Sequence, residues 1–203
     1  MKLLSPKTNV SRPITDRVKE SLFSVLYKYD LPNDKVVADL FCGVGSLGLE
    51  ALSRGADFVF FIEQDMEIVN ILKKNIEKTG FTKQSKVIKA NAFKTGAWHD
   101  QPGSFLTGGE TAISGVFSRA GSPCYYDIVF VDPPYACTKD VGQDSPLGKL
   151  LTSISEQLNT DGIVVVRTER RTKLLNQYGL LEIIEHRCWG TMAVAILHKK
   201  ADE

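Results

Sequence analysis

Val36-Val37-Ala38-Asp39-Leu40-Phe41-Cys42-Gly43-Val44-Gly45-Ser46-Leu47-Gly48-Leu49-Glu50-Ala51-Leu52-Ser53-Arg54-Gly55 is a β-rich run that breaks into glycines, reopens as an apolar helical pattern and stops at a glycine. It reads as strand, tight turn and helix. The alternation continues downstream: residues 58–63 form a second strand, a helix capped by Asp65 closes near Gly80, and residues 86–90 form a third strand. Residues 126–131 are a fourth buried-strand run, a helix follows around 147–158, and residues 162–167 supply a fifth strand. The tail differs, because 181–187 and 192–197 flank a short turn containing Gly190, which predicts a hairpin. Upstream, Val18, Leu22, Val25, Leu26 and Tyr29 recur at helical spacing behind Thr15-Asp16, predicting an amphipathic helix over 15–29. The expected fold class is α/β: a doubly wound, seven-stranded, mostly parallel sheet with helices on both faces and a C-terminal antiparallel hairpin.

With 203 residues, 43% of them hydrophobic and 24% charged, the chain fits one domain spanning 1–203 and not a disordered or fibrous protein. Within it, residues 1–20 are locally basic, and 96–123 lose periodicity among Gly103, Gly108, Gly109, Gly115 and Gly121, predicting a flexible loop. The net charge is +1, so a nucleic-acid partner has to be met by a local patch. Cys42, Cys124, Cys137 and Cys188 form no CxxC pair, and His99, His186 and His198 stand at no metal-ligand spacing. No metal and no disulfide framework are expected, and a reducing, cytoplasmic setting fits. There is no signal-peptide run and no stretch of 18 apolar residues, so neither export nor a membrane span is expected, and a monomer is assumed.

Gly43-Val44-Gly45-Ser46-Leu47-Gly48 matches GxGxxG between a strand and a helix, a pattern that dinucleotide enzymes share. Glycines let the backbone turn sharply and approach a ligand. Glu63, 20 positions after Gly43 at the end of the second strand, can accept both hydroxyl hydrogens of a ribose. Asp39 lies inside the first strand, where a carboxylate is costly to bury without a partner. S-adenosylmethionine, with an ammonium, a sulfonium and a ribose but no phosphate, suits Asp39 and Glu63 better than NAD does. The plainer reading is that Asp39 caps the next turn and Glu63 is a solvated strand end.

Asp132-Pro133-Pro134-Tyr135 follows the fourth strand, and two consecutive prolines make a stiff turn that lacks two amide donors. An exocyclic amine on a nucleobase is a poor nucleophile, because its lone pair is delocalised into the ring. Acceptors that hold its hydrogens favour attack, and the Asp132 carboxylate and the Pro133 carbonyl are such acceptors. Tyr135 can stack on the base, a contact worth on the order of 1–3 kcal/mol. The plainer reading is a proline turn with a core tyrosine. A position at the carboxyl end of a strand beside a glycine loop, where open α/β sheets bind ligands, favours the chemical one.

Arg12-Pro13-Ile14-Thr15-Asp16-Arg17-Val18-Lys19-Glu20-Ser21-Leu22-Phe23, the stretch Asp39 to Ala56, Asn91-Ala92 and the run Asp127 to Tyr135 together resemble the bacterial small-subunit ribosomal RNA guanine-N2 methyltransferases. The resemblance implies a Rossmann-like class I methyltransferase fold. It also implies transfer of a methyl group from S-adenosylmethionine to the exocyclic amine of one guanine in 16S ribosomal RNA, free or in the small ribosomal subunit. By matching position it implies that Asp39, Phe41, Cys42, Gly43, Gly45, Ser46, Gly48, Glu63 and Gln64 line the cofactor pocket. Asn91 and Ala92 would flank the adenine, Asp132, Pro133, Pro134 and Tyr135 would receive the base, and Arg12, Thr15 and Arg17 would meet RNA. Arg170, Arg171 and Lys173 are expected to open an exposed helix, with RNA contact as a secondary reading. Three competing functions stay open on the residues alone: an adenine-N6 methyltransferase on DNA or RNA, a nicotinamide oxidoreductase, and an RNA-binding scaffold without catalysis.

Overall fold

The structure is a computed structural model that describes residues 3–6, 14–94 and 126–200. The expected loop at 96–123, Arg12 and Cys124 therefore lie outside the described residues. Eight strands form one sheet: β1 (Val36–Leu40), β2 (Phe58–Glu63), β3 (Ser85–Lys89), β4 (Tyr126–Val131), β5 (Leu158–Glu169), β6 (Gln177–Tyr178), β7 (Leu181–Trp189) and β8 (Met192–Lys199). Their spatial order is β3-β2-β1-β4-β5-β8-β7-β6. The first five pair in parallel, and β8 enters antiparallel between β5 and β7.

The doubly wound sheet and the terminal hairpin are as the sequence predicts. The extra strand, β6, has only two residues and pairs with β7 at the edge. It is held less by its ladder than by Tyr178, which is buried and donates its hydroxyl to the Val141 carbonyl at 2.7 Å. Two residues are too few to show a period-two pattern.

Alternation along each strand sorts the core into two layers. Val37, Val59, Phe61, Ile128, Phe130, Ile163 and Val165 face one side, where they meet α1 (Asp16–Leu26), α2 (Ser46–Ser53) and α3 (Met66–Thr79). Ala38, Leu40, Phe60, Ile62, Val129, Val131, Val164 and Val166 face the other, where α4 (Pro146–Ser155) buries Leu147, Leu150, Leu151 and Ile154. α1 lays Phe23 against Phe130 with ring centroids 5.9 Å apart. Burying such a side chain stabilises the fold by roughly 1.5–3 kcal/mol. α3 is capped at both ends as its sequence predicts: Asp65 accepts from the Glu67 and Ile68 amides, and Gly80 closes the helix in the left-handed conformation at φ 81°.

The predicted helix start at Arg170, Arg171 and Lys173 is instead a turn. The Arg170 amide donates to the Thr191 carbonyl at 2.8 Å and the Thr172 amide to the Glu169 carbonyl at 3.0 Å. The second bond closes the turn locally, and the first ties it to the β7–β8 turn, a tertiary partner invisible to local pattern. No helix among the described residues is long and apolar enough to cross a membrane.

Candidate active site

β1 sits beside both β2 and β4, so the chain winds outward from it in two directions and leaves a crevice at the carboxyl ends of these strands. Onto this crevice the fold brings the loop after β1, Glu63 at the end of β2, Asn91 after β3, the proline elbow after β4 and Arg167 near the end of β5.

Asp39 is 1% exposed and its Oδ2 accepts the Gly48 amide of α2 at 2.8 Å. It thus does what the plainer sequence reading described, holding an amide in the first turn of α2. That one bond does not offset its burial: desolvation, with Asp132 and Glu63 adding repulsion, pushes its carboxyl up to about 8. Without a cation beside it Asp39 keeps its proton at neutral pH. Glu63 is half-buried and reaches back across the crevice, its Oε2 accepting the Gly43 amide at 3.1 Å and its Oε1 the Gln64 and Asp65 amides at 2.8 and 2.9 Å.

The three glycines of the loop have different surroundings. Gly43, at φ 54°, has open space where a side chain would project, so a ligand can approach its backbone. A Cβ on Gly45, at φ 86°, would meet Leu72 at 2.5 Å. One on Gly48 would overlap the Phe61 ring and lie 2.9 Å from Val59. With its amide donated to Asp39, Gly48 seats α2 closely on β2. Cys42 is likewise a core residue, whose thiol burial pushes up. Phe41, at φ 58°, packs its ring on Phe93 at 4.8 Å. Ser46 is the first residue of α2, and Gln64 is exposed. Asn91 accepts the Phe93 amide at 3.0 Å, and Ala92 is buried behind it.

Behind the loop stands a group the sequence reading passed over. Asn75 of α3 is fully buried; its side chain accepts the Leu4 amide at 2.8 Å and donates to the carbonyls of Leu4 and Val44, each at 3.1 Å.

In the elbow Pro133 is buried and Pro134 exposed, and the Cys137 amide donates to the Pro134 carbonyl at 2.8 Å. Tyr135 is half-buried and opens a short 3₁₀ turn, Tyr135–Thr138. The Asp132 amide donates to the Leu40 carbonyl at 3.4 Å, joining the elbow to the end of β1. Asp132 Oδ2 accepts from Arg167 Nη1 at 2.7 Å, and the same guanidinium lies 5.7 Å from the centre of the Tyr135 ring. Burial pushes the Asp132 carboxyl up to about 6, and the Arg167 guanidinium opposes the shift. Arg167 is the functional candidate that sequence reasoning missed. The signal was a cation ending the apolar run Ile163-Val164-Val165-Val166; only the β4–β5 register, with Val131 beside Val166, sets it next to Asp132.

Of the residues expected to meet RNA, Thr15 and Arg17 are exposed at the start of α1; nearby, Lys19 pairs with Asp16 at 3.0 Å and Glu50 at 3.7 Å.

The family model described as conserved hypothetical protein 95 matches residues 1–105 and 110–198. The chain belongs to this family. It is 31% identical over 192 residues to a putative rRNA methyltransferase, YlbH, of Bacillus subtilis, covering 94% of this chain and 89% of that one. It is 37% identical over 136 residues to ribosomal RNA small subunit methyltransferase D of Escherichia coli, covering 66% of this chain and 54% of that one. A solved structure described as the putative methyltransferase yhhF from Escherichia coli superposes with a TM-score of 0.69 at 26% identity, covering 100% of this chain and 93% of that one.

Proposed function

We propose that the chain is an S-adenosylmethionine-dependent methyltransferase that modifies the exocyclic N2 amine of a guanine in small-subunit ribosomal RNA. The observation that carries the reading is the pairing of an electron-rich crevice with a stiff acceptor elbow one strand away. Asp39 and Glu63 beside the open face of Gly43 form an acceptor set that suits a cation and a ribose. A pyrophosphate would meet the Glu63 carboxylate and, in Asp39, a group whose ionisation it would oppose, which disfavours a nicotinamide cofactor. The relatives named above agree with an RNA methyltransferase, and a ribosomal RNA substrate goes with a cytosolic setting.

When bound, S-adenosylmethionine supplies an electrophilic methyl group on a sulfonium. Asp39, once ionised, would face the positive charge of the donor, and Glu63, which now accepts backbone amides, would hold the ribose hydroxyls. Asp132 offers the oxygen that Arg167 leaves free, and the Pro133 carbonyl, to which no described residue donates, offers the second acceptor. Two acceptors in fixed positions hold the amine hydrogens and turn the nitrogen lone pair toward the methyl carbon. Tyr135 stacks on the base from one side with Arg167 behind its ring. The rate gain is chiefly positional, and the proton leaves after transfer to Asp132 or to water.

The test is incubation with labelled S-adenosylmethionine and either free 16S RNA or small subunits lacking the modification, followed by nucleoside mass analysis. N2-methylguanosine is expected, and Asp132→Ala abolishes it while leaving S-adenosylmethionine binding nearly unchanged. N6-methyladenosine would transfer the reading to the adenine enzymes, and turnover retained by Asp132→Ala would remove the elbow from the chemistry.

A further inference from the structure

Beyond Tyr135, on the side away from the glycine loop, lies a cleft of about 330 Å³ whose lining includes Tyr135, Lys139, Glu169, Arg171, Thr172 and Lys173. Its two walls are of different origin. Lys139 follows directly on the turn that begins at Tyr135, whereas Glu169, Arg171 and Lys173 come from the end of β5 and the turn after it. That turn is fixed by the bonds from Arg170 to Thr191 and from Thr172 to Glu169, so its cations are displayed from an ordered backbone. Lys139, Arg171 and Lys173 are exposed, and none of the three forms an ion pair with a described residue. The cleft thus gathers three cations and one carboxylate on a concave surface that begins at the ring expected to stack on the target base.

We propose that this cleft holds the sugar–phosphate backbone next to the target guanine, with Lys139, Arg171 and Lys173 on phosphate oxygens. The assignment rests on the RNA-methyltransferase reading of the adjacent site. A base drawn out of its stack onto Tyr135 carries its flanking phosphates with it, and those phosphates need neutralising within one nucleotide of the ring. The cleft meets that need from the side opposite the cofactor loop, where the Glu63 carboxylate would repel a phosphate. Glu169 fits the same occupant, since a carboxylate accepts the ribose 2′-hydroxyl that distinguishes RNA. The Thr172 hydroxyl adds a neutral donor of the kind phosphate oxygens take.

Counterion release gives the test. Binding of an unmodified 16S ribosomal RNA transcript is measured by fluorescence anisotropy over a series of potassium chloride concentrations. Three proteins are compared: the parent, Arg171→Ala/Lys173→Ala, and Lys73→Ala/Lys74→Ala, which removes the same charge from the exposed face of α3. The slope of log affinity against log salt becomes shallower by about 1.4 for the cleft variant, at about 0.7 per single-strand phosphate released. The α3 variant keeps the parental slope, and S-adenosylmethionine affinity is the same in all three. A cleft variant with the parental slope, or an α3 variant that loses as much, overturns the proposal. Methyl transfer is scored separately. A parent that binds RNA with the cleft-dependent slope yet transfers no methyl defeats the enzymatic reading and not the cleft. A parent that methylates while the cleft variant keeps its slope defeats the cleft alone.

Discussion

Stripping water from a guanidinium at the end of a buried strand costs several kcal/mol unless a carboxylate meets it, and the alignment of β5 on β4 supplies Asp132 to Arg167 at 2.7 Å. The pair does more than satisfy two charges. Asp132 is useful as an acceptor only when ionised, and burial holds its carboxyl at about 6 even with Arg167 beside it and the largely protonated Asp39 as its other acidic neighbour. Removing the cation leaves burial unopposed, so Arg167→Met moves the acidic limb of the pH–rate profile upward from about 6, while Arg167→Lys returns it part of the way. A limb that stays in place would reduce Arg167 to a packing residue. The individual site residues were unevenly legible. Asp39, Glu63 and the elbow announce themselves, because carboxylates and paired prolines at strand ends break a strong local pattern. Arg167 and Asn75 do not, because each acts on a partner remote in sequence: Arg167 on Asp132 across the strand register, and Asn75 on Leu4 and Val44 from the far side of the glycine loop.

Among the elements, the unit β1–loop–α2 is read most directly from sequence, since its strand, turn and helix signals are all local. What the sequence leaves ambiguous is the job of each glycine, and the structure separates them. Gly48 allows α2 to lie against Phe61 and Val59, so Gly48→Ala forces the helix off the sheet and is expected to destabilise the fold by about 1–3 kcal/mol. Urea unfolding of the ligand-free chain measures this, and an unchanged midpoint would show that α2 is free to shift. The elements misjudged from sequence are those whose conformation depends on distant bonds: the turn at Arg170 and Arg171, fastened to Thr191, and the two-residue β6, fastened through Tyr178 to Val141.

The whole molecule carries a linkage between protons and fold. Asp39 and Asp132 titrate at about 8 and about 6 in the folded chain against an ordinary value of 3.8. The folded chain therefore keeps protons that the unfolded chain has released, and these two groups make stability fall as pH rises from about 4 to about 8. A cationic donor beside Asp39 favours its ionised form, so stabilisation by S-adenosylmethionine grows over the same range. Thermal unfolding midpoints at pH 5.5 and 8, with and without the donor, test this. Asp39→Asn should lack both its share of the ligand-free decline and the growth of the ligand effect; a variant that behaves like the parent would take Asp39 out of the linkage. At this scale the sequence was most informative, because alternating strand and helix periods specify a doubly wound sheet, and the crevice follows from where its winding reverses.

Asn75 ties together parts of the chain that are far apart in sequence. One amide grips both backbone groups of Leu4, near the start of the chain, and also the carbonyl of Val44 between two glycines. The leading segment and the donor loop are thus moored to a single post on α3. A displacement of residues 3–6 therefore reaches the backbone between Gly43 and Gly45 through one side chain that belongs to neither segment.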